Sequence, residues 1–150
     1  MSGFRVGITV RRPRPEVAAV MLDVHYLPGW RVGIRKVEVV SGEPPEVGAR
    51  VLLVGARPDD IFEIVEHEPD LLLVLQTDTR TITLGLEGVP VGTVAWLAVD
   101  TERTGLSRLI GRLTDRRARR VAIRDLRHLK QFIESGEYRT WLTEEAAEED

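Results

Sequence analysis

Asp125 has the most informative position of any polar residue in the chain. On a helical wheel at about 100° per residue it falls near the centre of an apolar stripe, between Val121, Ala122, Leu129 and Phe132. A carboxylate placed there must be paired or protonated, because burying a bare charge is costly. Two roles fit it: a cavity acid that orients a ligand or moves a proton, or a structural anchor for an Arg, Tyr or Trp of a facing sheet. Glu63 and His67 alternate along one strand face with Ile61 and Val65. If that face is inward, they form an acid/base pair. If Phe62 and Ile64 point inward instead, both face solvent, and one residue of register decides. Asp125, Glu63 and His67 are thus the candidate catalytic residues. Tyr26 and Trp30 flank a Pro28-Gly29 break, where aromatics could stack on a flat ligand or simply pack. Trp96 sits in the last strand, and core packing is its simpler role.

Other chemistries lack their residues. The 150-residue chain has no cysteine, which excludes disulfides, thiol catalysis and thiolate metal sites. His25, His67 and His128 fall in no ligand spacing, so no metal site is expected. Gly85-Leu86-Glu87-Gly88 matches neither a P-loop nor a dinucleotide fingerprint, and no serine sits in a nucleophile elbow. No cofactor is expected.

The net charge of −3 is unevenly distributed. Residues 144–150 carry five acids and no base. Residues 108–130 carry eight arginines and Lys130. Arg116, Arg119, Arg120, Arg124, Arg127 and Lys130 lie opposite the apolar stripe, where a solvated face belongs. No aromatic interleaves them and the whole chain is acidic, so nucleic acid is not the expected partner. A surface for an acidic partner, or for the chain's own tail, stays open. No apolar run approaches the ~20 residues of a membrane span. The N-terminus lacks the apolar core of a signal peptide, so a soluble cytoplasmic protein is expected.

The elements that position these residues follow from periodicity. Phe4, Val6, Ile8 and Val10 alternate with Arg5, Gly7, Thr9 and Arg11, which predicts a half-buried first strand. Pro13 and Pro15 end it, and Pro15 suits a first helical turn. Val17, Val20, Met21 and Val24 make one helix face before Pro28-Gly29. Strands are predicted over 32–40, 49–54, 60–66, 71–79, 81–87 and 93–101, with turn signals recurring as in an antiparallel meander. Residues 106–135 read as helix, with Gly136 as its C-cap. Leu106, Leu109, Ile110 and Leu113 form one stripe; Ala118, Val121, Ala122, Leu126, Leu129, Phe132 and Ile133 form another, out of phase. A break near Thr114-Asp115 is the expected reason. An antiparallel sheet of this size curls. Its apolar face needs a cover, and the long helix is the large amphipathic element left to supply it. A sheet wrapped on one helix leaves a space between them.

That order resembles the START/Bet v 1-like (SRPBCC) superfamily, and within it the bacterial polyketide cyclase/dehydrase-like group. The resemblance runs over about residues 4–136. It rests on Pro15-Glu16-Val17, on Asp23-Val24-His25-Tyr26-Leu27-Pro28-Gly29-Trp30, on 32–42 and 62–69, on Gly92-Thr93, and on the run from Asp125 to Glu134. It implies an α+β helix-grip fold: a curved antiparallel β-sheet wrapped around a long C-terminal α-helix, with two short helices after the first strand. Residues 1–136 would form that domain and 137–150 a C-terminal extension with a disordered acidic end.

The superfamily's shared asset is a cavity rather than a reaction. The resemblance therefore implies a small hydrophobic ligand, lipid- or polyketide-like, held between sheet and helix. Tyr26, Trp30, Trp96, Ala122, Asp125, Leu129 and Phe132 are the expected ligand-binding residues. A carrier or binding protein, a cofactor-free cyclase or dehydratase, and an interaction module using the basic helix all stay open. Tyr138, Trp141 and Leu142 follow the C-cap and need cover, either from the domain itself or from a second copy in a homodimer.

Overall fold

The computed structural model describes residues 2–55, 60–101 and 107–149, with side chains for 3–55, 60–101 and 116–144. Seven antiparallel strands form one sheet in the order β1-β7-β6-β5-β4-β3-β2. The strands are β1 (Ser2–Val10), β2 (Ile34–Ser41), β3 (Arg50–Gly55), β4 (Asp60–Glu68), β5 (Leu72–Gln76), β6 (Arg80–Val89) and β7 (Gly92–Thr101). Among the described strands, only the β1–β7 pairing joins strands distant in sequence; the rest is a meander. Between β1 and β2 lie α1 (Arg14–Met21), a 3-10 turn (Val24–Tyr26) and α2 (Leu27–Trp30). The long α3 (Ser107–Glu134) and α4 (Tyr138–Glu149) follow β7.

The inner face of the sheet is built by the alternation in each strand. Across β1, β7 and β6, Phe4 stands opposite Val99 and Val99 opposite Ile82; Val6, Leu97 and Leu84 form the next row. Leu75 and Leu73 continue these rows on β5. Val6, Leu84, Leu97, Leu73 and Leu75 are all buried. The expected stripe of α3 meets this face: Ala122, Leu126, Leu129, Phe132 and Ile133 are buried. Val17, Val20, Met21 and Val24 are buried too, which seats α1 and the 3-10 turn in the same core. Each fully buried Val or Leu is worth about 1.5–3 kcal/mol, so this shared core is the main source of stability. Gly136 has φ +79°, the left-handed conformation expected of a helix-ending glycine.

Two expectations differ from the structure. The predicted break near Thr114-Asp115 is absent, and α3 runs as one 28-residue helix. Leu106 lies outside the described residues, as do the side chains of Leu109, Ile110 and Leu113, so their stripe has no described partner surface. The backbone has no proline to interrupt it, and a long helix can leave the sheet at one end without breaking. The second difference is the acidic end. Residues 138–149 form α4, because Glu and Ala are strong helix formers and the helix is anchored at its start.

Candidate functional site

Register places the site at one end of the sheet. Val10 and Thr93 lie beside the start of α1, while Phe4 and Val99 lie six residues away along the same strand pair. At the Phe4 end a cleft of ≈ 340 Å³ separates the sheet from α3. Phe4, Ile34, Leu53, Phe62, Ile82 and Val99 supply its sheet wall, and Ala118, Val121 and Ala122 supply its helix wall. Two of the three helix residues are alanines, and that leaves room between the layers. Arg31, Asp60, Arg80, Arg117 and Asp125 are its ionisable groups among the described residues. Asp60, Arg80 and Arg117 are exposed and mark the rim.

Asp125 is fully buried on this wall, as its place in the apolar stripe predicts. Its partner is Arg31, at the junction of α2 and β2. Arg31 Nε lies 3.0 Å from Asp125 Oδ2, with 18 % of the Arg31 side chain exposed and 1 % of the Asp125 side chain. The two atoms are out of line for a hydrogen bond, so the contact is a charge pair, and both are buried without a hydrogen-bond partner among the described residues. The other carboxylate oxygen accepts from the Val32 backbone N–H at 3.3 Å and lies 3.6 Å from Arg124 Nη2. Burial pulls the Arg31 pKa below the ordinary guanidinium value. The Asp125 carboxylate opposes that shift, and the charges of Arg80 and Arg124 add to it. Arginine stays charged at neutral pH even so.

Of the expected ligand-binding residues, only Ala122 and Asp125 line this cleft. Leu129 and Phe132 lie further along α3, on the side closed by α1 and α2. There Phe132 meets Tyr26, Tyr138 and Trp141 in an aromatic cluster with ring centroids 5.8–6.5 Å apart. Gly29 makes this approach possible, since a Cβ on it would stand 2.8 Å from Phe132 Cζ. Trp30 is buried in the same core, 1 % exposed. These aromatics are packing residues because α4 folds back over them, covering Tyr26 and Phe132 with Tyr138 and Trp141. Tyr138 also donates a 2.8 Å hydrogen bond to Glu16 of α1.

Trp96 points the other way. It stands opposite Gly7 and Gly85, on the outer face of the sheet. Its ring covers Gly85, and the Arg5 guanidinium lies over it at 4.0 Å. Strand alternation is the reason: Ala95 and Leu97 are the inward residues of β7.

Glu63 and His67 do not form a pair. Phe62 and Ile64 are the inward residues, which turns Glu63 outward. A register shift between Ile64 and Glu66 then reverses the alternation. His67 consequently stands opposite Leu73, on the inner side, but at a separate groove beside Ala18, Leu22, His25 and Pro45. The basic face of α3 is exposed at Arg116, Arg119, Arg120, Arg124 and Arg127. Lys130 departs from it, bonding Thr9 O at 2.8 Å and Glu134 at 2.6 Å.

Sequence reasoning missed Phe4, Arg31, Arg80 and Arg117 as site residues. Phe4 could have been found from its place in the alternation of β1. Arg31 had a weaker signal, a charge directly after the core residue Trp30. Arg80 and Arg117 carried none, because a rim residue resembles any surface arginine.

Among the described residues no cluster of three or more His, Cys, Asp or Glu could hold a metal ion. No described helix is long and apolar enough to cross a membrane. The sequence matches no protein-family model and no curated protein. Solved structures are similar across nearly the whole chain. A START superfamily protein from Mycobacterium smegmatis superposes with a TM-score of 0.72 at 12% identity, covering 89% of this chain and 97% of its own. Bacillus halodurans protein BH1534 gives 0.69 at 15% identity, covering 89% and 97%. Ara h 8.0201 gives 0.59 at 14% identity, covering 89% and 98%. At these identities the likeness establishes the fold.

Proposed function

We propose that this chain, which has the START/Bet v 1-like helix-grip fold, binds one small, largely apolar molecule in the cleft between its sheet and α3. The observation that carries the reading is the cleft itself: ≈ 340 Å³, walled by nine apolar side chains, with a few polar groups at its floor and rim. Ligand sites are commonly concave, mostly apolar and of ~300–1,000 Å³, with a small number of placed polar groups. The fold's relatives support the same direction at the level of architecture.

A proton-transfer enzyme is the weaker reading. Glu63 faces outward and His67 lies at another groove, so among the described residues the cleft's carboxylates are Asp60 and Asp125. Asp125 is engaged with Arg31, Val32 N–H and Arg124, which favours a positioning role.

Filling the cleft tests the proposal. Ala118 lines it and is half-buried. Ala118→Trp should abolish binding of an uncharged fluorescent apolar probe and leave the thermal unfolding transition cooperative. Unchanged probe binding in that variant would place the probe elsewhere and overturn the reading.

A further inference from the structure

We infer that the ligand is a carboxylate on an apolar body, with its carboxylate held by Arg31 at the floor of the cleft and by Arg80 and Arg117 at the rim. This rests on the binding reading above and specifies its ligand class.

Among the described residues, three arginines line the cleft against two aspartates. Both aspartates have contacts of their own. Asp125 is shared among Arg31, Arg124 and the Val32 N–H. Asp60 Oδ1 accepts from the adjacent Ile61 N–H at 3.0 Å. The arginines have donors to spare. Arg31 Nε meets Asp125 out of line, and its side chain makes no hydrogen bond to a described residue. Arg80 lies over the Phe62 ring, 5.2 Å from its centroid, so its cation stands above an apolar wall of the cleft. Neither Arg80 nor Arg117 has a carboxylate partner among the described residues.

A guanidinium is a planar fork of N–H donors that matches a carboxylate edge. With Nε turned toward Asp125, the terminal nitrogens of Arg31 are the donors that remain for a ligand. A wholly apolar ligand would strip water from them and return no acceptor, which penalises it. An ammonium ligand would meet three like charges. Among the described lining residues arginines outnumber aspartates, which favours an anion over a neutral or cationic ligand. The volume equals on the order of ten waters' share of liquid, which suits one short or ring-bearing acid rather than a two-chain lipid.

The test is displacement of the uncharged probe N-phenyl-1-naphthylamine by two matched competitors, 2-naphthoate and the isosteric neutral 2-naphthamide. The naphthoate should compete at least about tenfold better, the scale of one charge-assisted hydrogen bond. Its advantage should shrink severalfold in Arg80→Gln and in Arg117→Gln, whose exposed positions leave folding intact. It should shrink by at least as much in the Arg31→Met/Asp125→Leu pair, which removes the floor donors and leaves the rim arginines. Equal competition by acid and amide, with the probe still binding, would overturn this inference and leave the binding reading standing. Failure of the probe and of both naphthalenes to bind the wild-type protein would overturn both.

Discussion

Arg31 Nε and Asp125 Oδ2 meet at 3.0 Å beneath the cleft, tying the α2–β2 junction to the middle of α3. The pair fixes the lateral position of α3 over the sheet, because a buried carboxylate tolerates few places to lie. It also holds the Arg31 guanidinium at the floor of the site, and Asp125 is in that sense a positioning residue.

Removing one partner leaves the other as a buried charge. Asp125→Leu or Arg31→Met alone should therefore cost about 3–5 kcal/mol of stability, and the Arg31→Met/Asp125→Leu pair markedly less. Urea denaturation of wild type, both single variants and the double variant gives the coupling. Losses that simply add would mean the pair is not the unit described.

Trp96 and Gly85 form a second, unrelated unit on the outer face. A Cβ at position 85 would overlap the indole carbons Cε2 and Cζ2 of Trp96. Gly85→Ala should cost about 1–3 kcal/mol by overpacking. The same change in a Trp96→Leu background should cost much less. An undiminished penalty there would assign the cost to backbone strain instead.

The fold-back of α4 rests on the Tyr138 hydroxyl and the Trp141 ring. Tyr138→Phe deletes the 2.8 Å hydrogen bond to Glu16 and should cost about 1 kcal/mol. Trp141→Ala uncovers Tyr26 and Phe132 and should cost more. Both losses should appear in thermal unfolding, with the larger at Trp141. No loss at either position would detach α4 from the domain.

Glu134 gives a pH dependence. Its Oε2 accepts from the Arg11 backbone N–H at 2.9 Å and from Lys130 Nζ at 2.6 Å. The Arg11 hydrogen bond, then that of Lys130, hold its carboxyl below the ordinary carboxylate range. A lowered folded pKa contributes stability that is present above the unfolded value of ~4.3 and is lost as pH falls through the folded value. The difference in melting temperature between wild type and Glu134→Gln should therefore be largest near neutrality and close below about pH 4. A gap that widens in acid would reverse the sign.

Much of the architecture was legible in the sequence, because a single sheet with one buried face writes its alternation into each strand. Phe4 to Val10 gave β1 and its inward side together. The stripe on α3 gave the burial of Asp125, Ala122, Leu129 and Phe132, and the demand of Asp125 for a partner. Three things were hidden. The register shift at Val65 separates Glu63 from His67, and nothing in the residue types there signals an extra residue. Trp96 is outward because its neighbours Ala95 and Leu97 are inward, a choice that an almost continuous apolar run does not reveal. The long axis of the site is also tertiary. Phe132 and Asp125 share a helix face, yet α4 and α2 cover one while the cleft opens beside the other.

The cleft beside Asp125 is proposed to hold a small apolar molecule. Native mass spectrometry of the purified protein, with organic extraction of whatever is bound, tests it most directly when wild type and Ala118→Trp are compared. A one-to-one adduct of a small, largely apolar molecule is expected on the wild type, taken up from the host or from an offered mixture, and none on Ala118→Trp. An adduct of equal occupancy on both proteins would contradict it.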